Sequence, residues 1–194
     1  GCSSGKLLQR FQSACNTHPV GVEPGNAYRE YAIQQGLTVY SSLHDLQEAG
    51  ERRFDLVSLI HVLEHLPDPA GYLISLRETF LTDSAYLLLE VPNLYAHECF
   101  EVAHLVSFSA HTLSQVVLRA GFEIVALRKH GLPRSRLLPL YLTLLARPAM
   151  MSGLSRIVHL RPEKFVVYKR RLGMLRRRFA QKLWPRQAWL PIEG

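Results

Sequence analysis

The chain has 194 residues, of which 47% are hydrophobic and 20% charged, so wholesale disorder is excluded and one domain, or one domain with an appendage, is expected. Its three cysteines, Cys2, Cys15 and Cys99, are too few and too scattered for a disulfide scaffold or a cysteine-based zinc site. Charge is divided unevenly: residues 1–127 hold 7 Lys and Arg against 14 Asp and Glu, and residues 128–194 hold 16 against 2, so an acidic body carries a basic C-terminal third suited to an anionic partner.

The chain opens on a turn of small residues, Gly1-Cys2-Ser3-Ser4-Gly5, running into a helix over Lys6 to Cys15. In α/β folds such a turn follows a buried strand, and its glycines let the backbone approach a ligand at a helix N-terminus. No strand precedes Gly1, so the expectation is a sheet lacking its first strand. Next comes a short strand, Pro19 to Pro24, ending in a carboxylate. Asn26 to Gln35 predicts a helix closed by Gly36, and Leu37 to Tyr40 a strand. Phe54 to Ile60 is a stronger strand, Pro69 to Phe80 a helix, and Ala85 to Val91 an apolar strand. Ser109 to Ala120 is a helix with Ser109 as N-cap, and Phe122 to Arg128 a strand. This alternation predicts a Rossmann-like, doubly wound, mostly parallel sheet with helices on both faces.

Beyond Gly131 the pattern changes. Leu132 to Ser155 reads as short helices broken at Pro139 and Pro148, and Lys164 to Lys169 as an antiparallel last strand beside Phe122 to Arg128. Leu172, Leu175, Phe179 and Leu183 then recur at helical spacing among arginines, with Trp184 and Trp189 following. The expected division is a core over 1–130 and a basic, helix-rich region over 131–194. The basic helix is expected to dock its apolar face on the sheet with its arginines solvated. The alternative is contact with an anionic membrane surface. Nucleic acid is a weaker partner, because aromatic residues do not interleave with the arginines as in a stacking platform. Nothing at the start reads as a signal peptide, and the apolar run Leu137 to Ala146 is far short of the roughly 20 residues that span a bilayer. A cytoplasmic protein, peripheral at the membrane at most, is expected.

Ligands of doubly wound sheets bind beyond the carboxyl ends of the strands. Here those ends carry the Gly1–Gly5 turn, Glu23, Ser41-Ser42-Leu43, the segment His61-Val-Leu-Glu-His-Leu-Pro-Asp-Pro69, and Pro92-Asn93-Leu94. A glycine turn followed by an acid at the end of the next strand suits a nucleoside, whose ribose hydroxyls a carboxylate accepts. In this order the motifs resemble class I S-adenosylmethionine-dependent methyltransferases, over about residues 1–130, and within them the subgroup with an H-x-L-E-H-x-x-D-P loop. The resemblance implies S-adenosyl-L-methionine as cofactor. It would place Gly1, Cys2, Ser3 and Gly5 against the methionine part, and Glu23 with Pro24 at the ribose. Ser42 and Leu43 would flank the adenine, and His61 and Val62 would line the pocket floor.

His61, Glu64 and His65 also spell the H-x-x-E-H of inverted zinc peptidases, which needs one continuous helix. The preceding strand and Pro67 and Pro69 argue against that. Glu64 is expected to shape the loop. Small-RNA 2′-O-methyltransferases have a similar loop, and that resemblance would make Glu64, His65 and His104 ligands of a divalent ion. His104-Leu-Val-Ser-Phe-Ser109 resembles the H-x-x-x-F-S element of sugar methyltransferases, which implies His104, with His65 near it, as the base that deprotonates the acceptor. His104 as a cap of the following helix, or as a residue filling a lid, is the structural alternative. Tyr95, His97 and His111 read as solvated positions, and Cys2 and Cys99 as buried small residues. The expected activity is methyl transfer to oxygen or carbon of a small-molecule or glycan-type acceptor. A non-catalytic fold without its first strand is the contrasting possibility.

Overall fold

The computed structural model describes residues 1–51, 53–98, 101–149 and 161–191, which divide into two compact units at Arg53/Phe54. In the first unit, helix α1 (Lys6–Cys15) leads to strand β1 (Val20–Val22), helix α2 (Asn26–Gln34), strand β2 (Thr38–Tyr40) and helix α3 (Leu43–Glu48). Strands β1 and β2 pair in parallel, Gly21 opposite Val39. Their small core is Ala32, Leu37 and Val39, with Cys2 and Leu8 packed on it. Helix α3 has no counterpart among the predicted elements. It starts where Ser42 accepts a hydrogen bond from the Asp45 amide, the usual N-cap arrangement.

The second unit carries strand β3 (Phe54–Ile60), helix α4 (Pro69–Phe80), strand β4 (Leu81–Pro92), helix α5 (Ala110–Arg119) and strands β5 (Phe122–His130) and β6 (Tyr141–Pro148). Helices α6 (Val166–Leu183) and α7 (Pro185–Ala188) follow. The sheet order is β3-β4-β6-β5. Strands β3 and β4 are parallel, and β6 runs antiparallel to both of its neighbours. Leu87, Leu89 and Val91 of β4 and Leu142, Leu144 and Ala146 of β6 are fully buried in one cluster with Leu73 and Leu76 of α4 and Leu113 and Val117 of α5. Each such leucine contributes about 1.5–3 kcal/mol. Helix α4 begins at Pro69 after Asp68, whose carboxylate caps the Gly71 amide at 2.9 Å. Ser109 forms a capping box with Thr112 on α5, so Ser109, not His104, caps that helix.

The antiparallel last strand is present, and it lies earlier than expected. Tyr141–Pro148 forms it, where short helices were read, and Pro139 and Pro148 bracket the strand rather than break helices. Burial alternates along it, with Leu142, Leu144 and Ala146 inward and Arg147 exposed, but Leu145 puts an apolar residue on the other face as well and leaves the short run ambiguous between helix and strand. Residues 164–169, expected to be that strand, enter α6 instead, with Phe165, Val167 and Tyr168 exposed. Residues 150–155 of the predicted helical stretch, and Cys99, lie outside the described residues.

Candidate active site

In the first unit the Gly1–Gly5 turn lies against the end of β1. The Cys2 amide donates to the Val22 carbonyl at 2.8 Å, and the Glu23 amide to Tyr40 at 2.9 Å. Gly5 sits at φ +77°, and a Cβ there would lie 2.2 Å from Leu37, so only glycine fits this corner. Glu23 is 9% exposed, and backbone amides hold its carboxylate: Ser3 N–H donates to Oε2 at 2.7 Å and Gly25 N–H to Oε1 at 2.9 Å. A Cβ on Gly1 would lie 2.5 Å from Glu23 Oε2. Gly1, Cys2, Ser3 and Glu23 therefore form one cradle, with Pro24 exposed at its edge. Ser42 and half-buried Leu43 begin α3 at the end of β2. There Ser41 donates to the Asp45 carboxylate, and hydrogen bonds from Ser41 and then Ser42 lower the Asp45 pKa.

In the second unit the carboxyl ends of β3 and β4 gather histidines and carboxylates. His61 leaves β3 in a left-handed conformation, φ +54°, which costs a non-glycine residue about 1–2 kcal/mol. Its amide still donates to the Glu90 carbonyl at 2.9 Å. The ring stands between two acids, Nδ1 3.3 Å from Glu64 and Nε2 3.5 Å from Glu90. Glu64 and then Glu90 raise the His61 pKa to about 9 against the opposing effect of burial, so His61 is a cation at neutral pH. Burial pushes Glu90 up, but His61, the Thr143 hydroxyl (2.7 Å) and His130 (3.2 Å) outweigh it and hold Glu90 below its ordinary value.

Glu64 is 1% exposed, and neither carboxylate oxygen accepts a well-formed hydrogen bond among the described residues. Its neighbours are His61 and, at 4.0 Å, His104 Nε2. His104 Nε2 also faces Glu101 at 3.2 Å. The His65 ring stands edge-on to His104 at 4.8 Å between centroids, and its Nδ1–H donates to the Ala103 carbonyl at 2.9 Å, leaving Nε2 open. His61 and His65 share no helix: β3 ends at Ile60 and a single 3₁₀ turn spans Leu63–His65, so the zinc-peptidase arrangement is absent. Val62 is half-buried before that turn and packs on the core.

A small cleft of about 30 Å³, room for one or two waters, lies among Glu64, His97, Glu101 and His104. A larger cavity of about 490 Å³ shares the Asn93 wall, with Tyr95, Leu138, Lys129, Lys169 and Arg176 around it, within the 300–1,000 Å³ usual for small-molecule sites. His97 is not solvated as expected. It bonds the Leu140 carbonyl at 2.9 Å, and burial lowers its pKa. Tyr95 is half-buried as well, whereas His111 is exposed.

Sequence reasoning left Glu64 to the loop and did not single out Glu90, Glu101 or His130. The Glu64 signal was present in the string, an acid flanked by histidines beside a strand end. The partners of Glu90 come from the end of β3, from β6 and from β5, and leave no local pattern.

The fold is an α/β domain with its polar groups gathered at strand ends, the architecture of cofactor-dependent enzymes. Residues 1–127 match the methyltransferase domain family, and the chain belongs to that family. A ubiquinone biosynthesis O-methyltransferase from Hahella chejuensis is 32% identical over 78 residues, which are 37% of this chain and 32% of that protein. The chain thus spans about a third of the length of that curated relative. A crystal structure of an S-adenosylmethionine-dependent methyltransferase from Archaeoglobus fulgidus superposes with a TM-score of 0.59 at 17% identity, over 76% of this chain and 83% of that one. Magnesium protoporphyrin IX methyltransferase from Synechocystis PCC 6803, solved with bound S-adenosylmethionine, gives 0.57 at 17% identity, over 77% and 67%. Among the described residues no helix is long and apolar enough to cross a membrane.

Proposed function

We propose that the chain binds S-adenosylmethionine and transfers its methyl group to a hydroxyl of a small-molecule or glycan-type acceptor. The observation that carries this reading is the Glu23 carboxylate, fixed by two backbone amides against the glycine turn in a chain of the methyltransferase domain family. That cradle fits the cofactor: the acid is already oriented, each of its oxygens keeps a lone pair for a ribose hydroxyl, and the space a Gly1 side chain would fill is closed. Gly1, Cys2, Ser3 and Gly5 would hold the methionine end, Glu23 and Pro24 the ribose, and Ser42 and Leu43 the adenine. When bound, the cofactor supplies a sulfonium-activated methyl group that needs no covalent enzyme intermediate.

The residues of the second unit act on the acceptor. His104 Nε2 takes the hydroxyl proton, and Glu101 and Glu64 beside that nitrogen stabilise the imidazolium formed. His65, its tautomer fixed by Ala103, is the neighbouring group that orients the His104 ring. The 490 Å³ cavity beside Asn93 takes the acceptor body. Oxygen is favoured over carbon because the relative from Hahella chejuensis is named an O-methyltransferase. The test is transfer of a labelled methyl group to a panel of phenolic, catecholic and sugar hydroxyls. Label in at least one of them, lost in His104→Gln, supports the reading. A complete absence of transfer from protein that binds S-adenosylhomocysteine opposes it.

One observation favours a second reading, metal-assisted methylation of an RNA 2′-hydroxyl. One ligand atom each from Glu64, His65 and His104 lies within 4.8 Å of the others. Two ligands at about 2.1 Å from a common zinc-type ion stand at most about 4.2 Å apart, so a small contraction would close the site. This carboxylate-and-imidazole set fits such a borderline ion better than magnesium. Activity that survives a chelator excludes this reading.

A further inference from the structure

We infer that α6 is a membrane-contacting helix, and that the outward face of the chain's basic end seats on an anionic phospholipid surface. The sequence leads one to expect the apolar stripe against the sheet and the arginines in water. The structure turns the apolar stripe outward and draws two of the arginines in. Arg170 points inward and donates to the Leu94 and Glu98 carbonyls at 3.4 and 2.8 Å. Arg177 donates to the Ala96 carbonyl at 2.9 Å and stacks on Trp189 at 4.9 Å. Gly173 meets the same 94–98 segment so closely that a Cβ would lie 2.0 Å from the Tyr95 carbonyl oxygen. These polar and backbone contacts, with buried Ala180, hold the helix down.

What remains outside is the apolar stripe. Phe165, Tyr168, Leu172, Leu175, Phe179 and Leu183 are all more than half exposed, as is Trp184 at the helix end. At about 100° per residue the five that lie within the helix, Tyr168 to Leu183, fall within roughly a quarter of its circumference. Arg171, Arg178 and Lys182 flank one side, and Arg176 with Lys169, which pairs with Glu163 at 3.0 Å, the other. Between Lys164 and Pro191 the chain holds nine Lys and Arg and no Asp or Glu.

Charge complementarity chooses the occupant. An apolar stripe edged on both sides by cations fits acyl chains beneath anionic headgroups, with long basic side chains reaching outward and tryptophan at the boundary. A nucleic acid offers phosphates but nothing for the leucines and phenylalanines. The same helix of a second copy would set cations against cations. Leu172, Lys169 and Arg176 of this face also line the larger cavity, whereas Arg171, Leu175, Arg178, Phe179 and Lys182 do not.

The experiment is vesicle flotation of the whole chain, with phosphatidylcholine alone and with phosphatidylcholine plus phosphatidylglycerol. Binding is expected only to the anionic vesicles, weakened by salt, with a blue-shifted tryptophan emission that brominated acyl chains quench. Leu175→Gln/Phe179→Gln alters only exposed side chains. It should lower partitioning at least tenfold with an unchanged near-ultraviolet circular dichroism spectrum. Arg171→Gln/Arg178→Gln/Lys182→Gln should lower it by about two orders of magnitude. No flotation, equal flotation with neutral vesicles, or undiminished binding by the Leu175/Phe179 variant would overturn the inference. So would oligonucleotide or self-association that protects the stripe while vesicles do not bind.

Discussion

The two compact units each bury a carboxylate at the end of a strand, and they treat it in opposite ways. Glu23, in the first unit, has its carboxylate oriented by the amides of Ser3 and Gly25, while Arg29 donates to its backbone carbonyl at 2.8 Å. Glu64, in the second, receives no well-formed hydrogen bond and is faced by two imidazoles. Fixed backbone dipoles suit a receptor for neutral hydroxyls, because they orient the acid without moving a proton. A buried charge whose neighbours can gain or lose protons suits chemistry. The hydrophobic support differs as well: three buried residues in the first unit's cluster, seventeen in the large cluster of the second. The proposed binding half rests on backbone and the proposed reacting half on a deep apolar core.

The sharpest way to break this contrast is His104→Gln. If the second unit does the chemistry, kcat falls about 10²–10⁴-fold, while calorimetry shows unchanged affinity for S-adenosylhomocysteine. Equal losses in both would contradict the division. Next in size, Leu144→Ala empties a fully buried site in β6 and should cost about 2–5 kcal/mol in urea unfolding.

Smaller is the pH effect of His61, whose sign follows from its raised pKa. Its stabilisation by Glu64 and Glu90 is complete below pH 6.5 and is lost as pH rises from 6.5 through about 9. Thermal unfolding followed across that window should show a falling melting temperature, and His61→Gln should flatten the fall. Nuclear magnetic resonance of Glu64→Gln should show the His61 titration moved down towards 6.5. Smallest is Ser109→Ala, which removes the cap of α5 and should cost about 1 kcal/mol.

Much of this molecule was legible where the signal is local. β3 starts at Phe54 and ends at Ile60 as read, because an apolar run between polar residues marks its own limits. Ser109 announced α5 through its own side chain. β6 was not legible, since Leu144-Leu145-Ala146 blurs its alternation and the strand is defined by insertion between β4 and β5. The helical spacing of α6 was readable, but its orientation was not. Which face turns inward is set by carbonyls of the 94–98 segment that hold Arg170 and Arg177. At the candidate site the same rule holds: His104 and His65 were singled out from motif order, whereas the environment of Glu90 arises only when distant elements meet.

The central claim, that Glu23 and the glycine turn hold S-adenosylmethionine, is tested most directly by calorimetric titration of S-adenosylhomocysteine into the chain and into Glu23→Ala. Micromolar binding by the chain and its loss in the variant are expected. No binding by either, or equal binding by both, would contradict it.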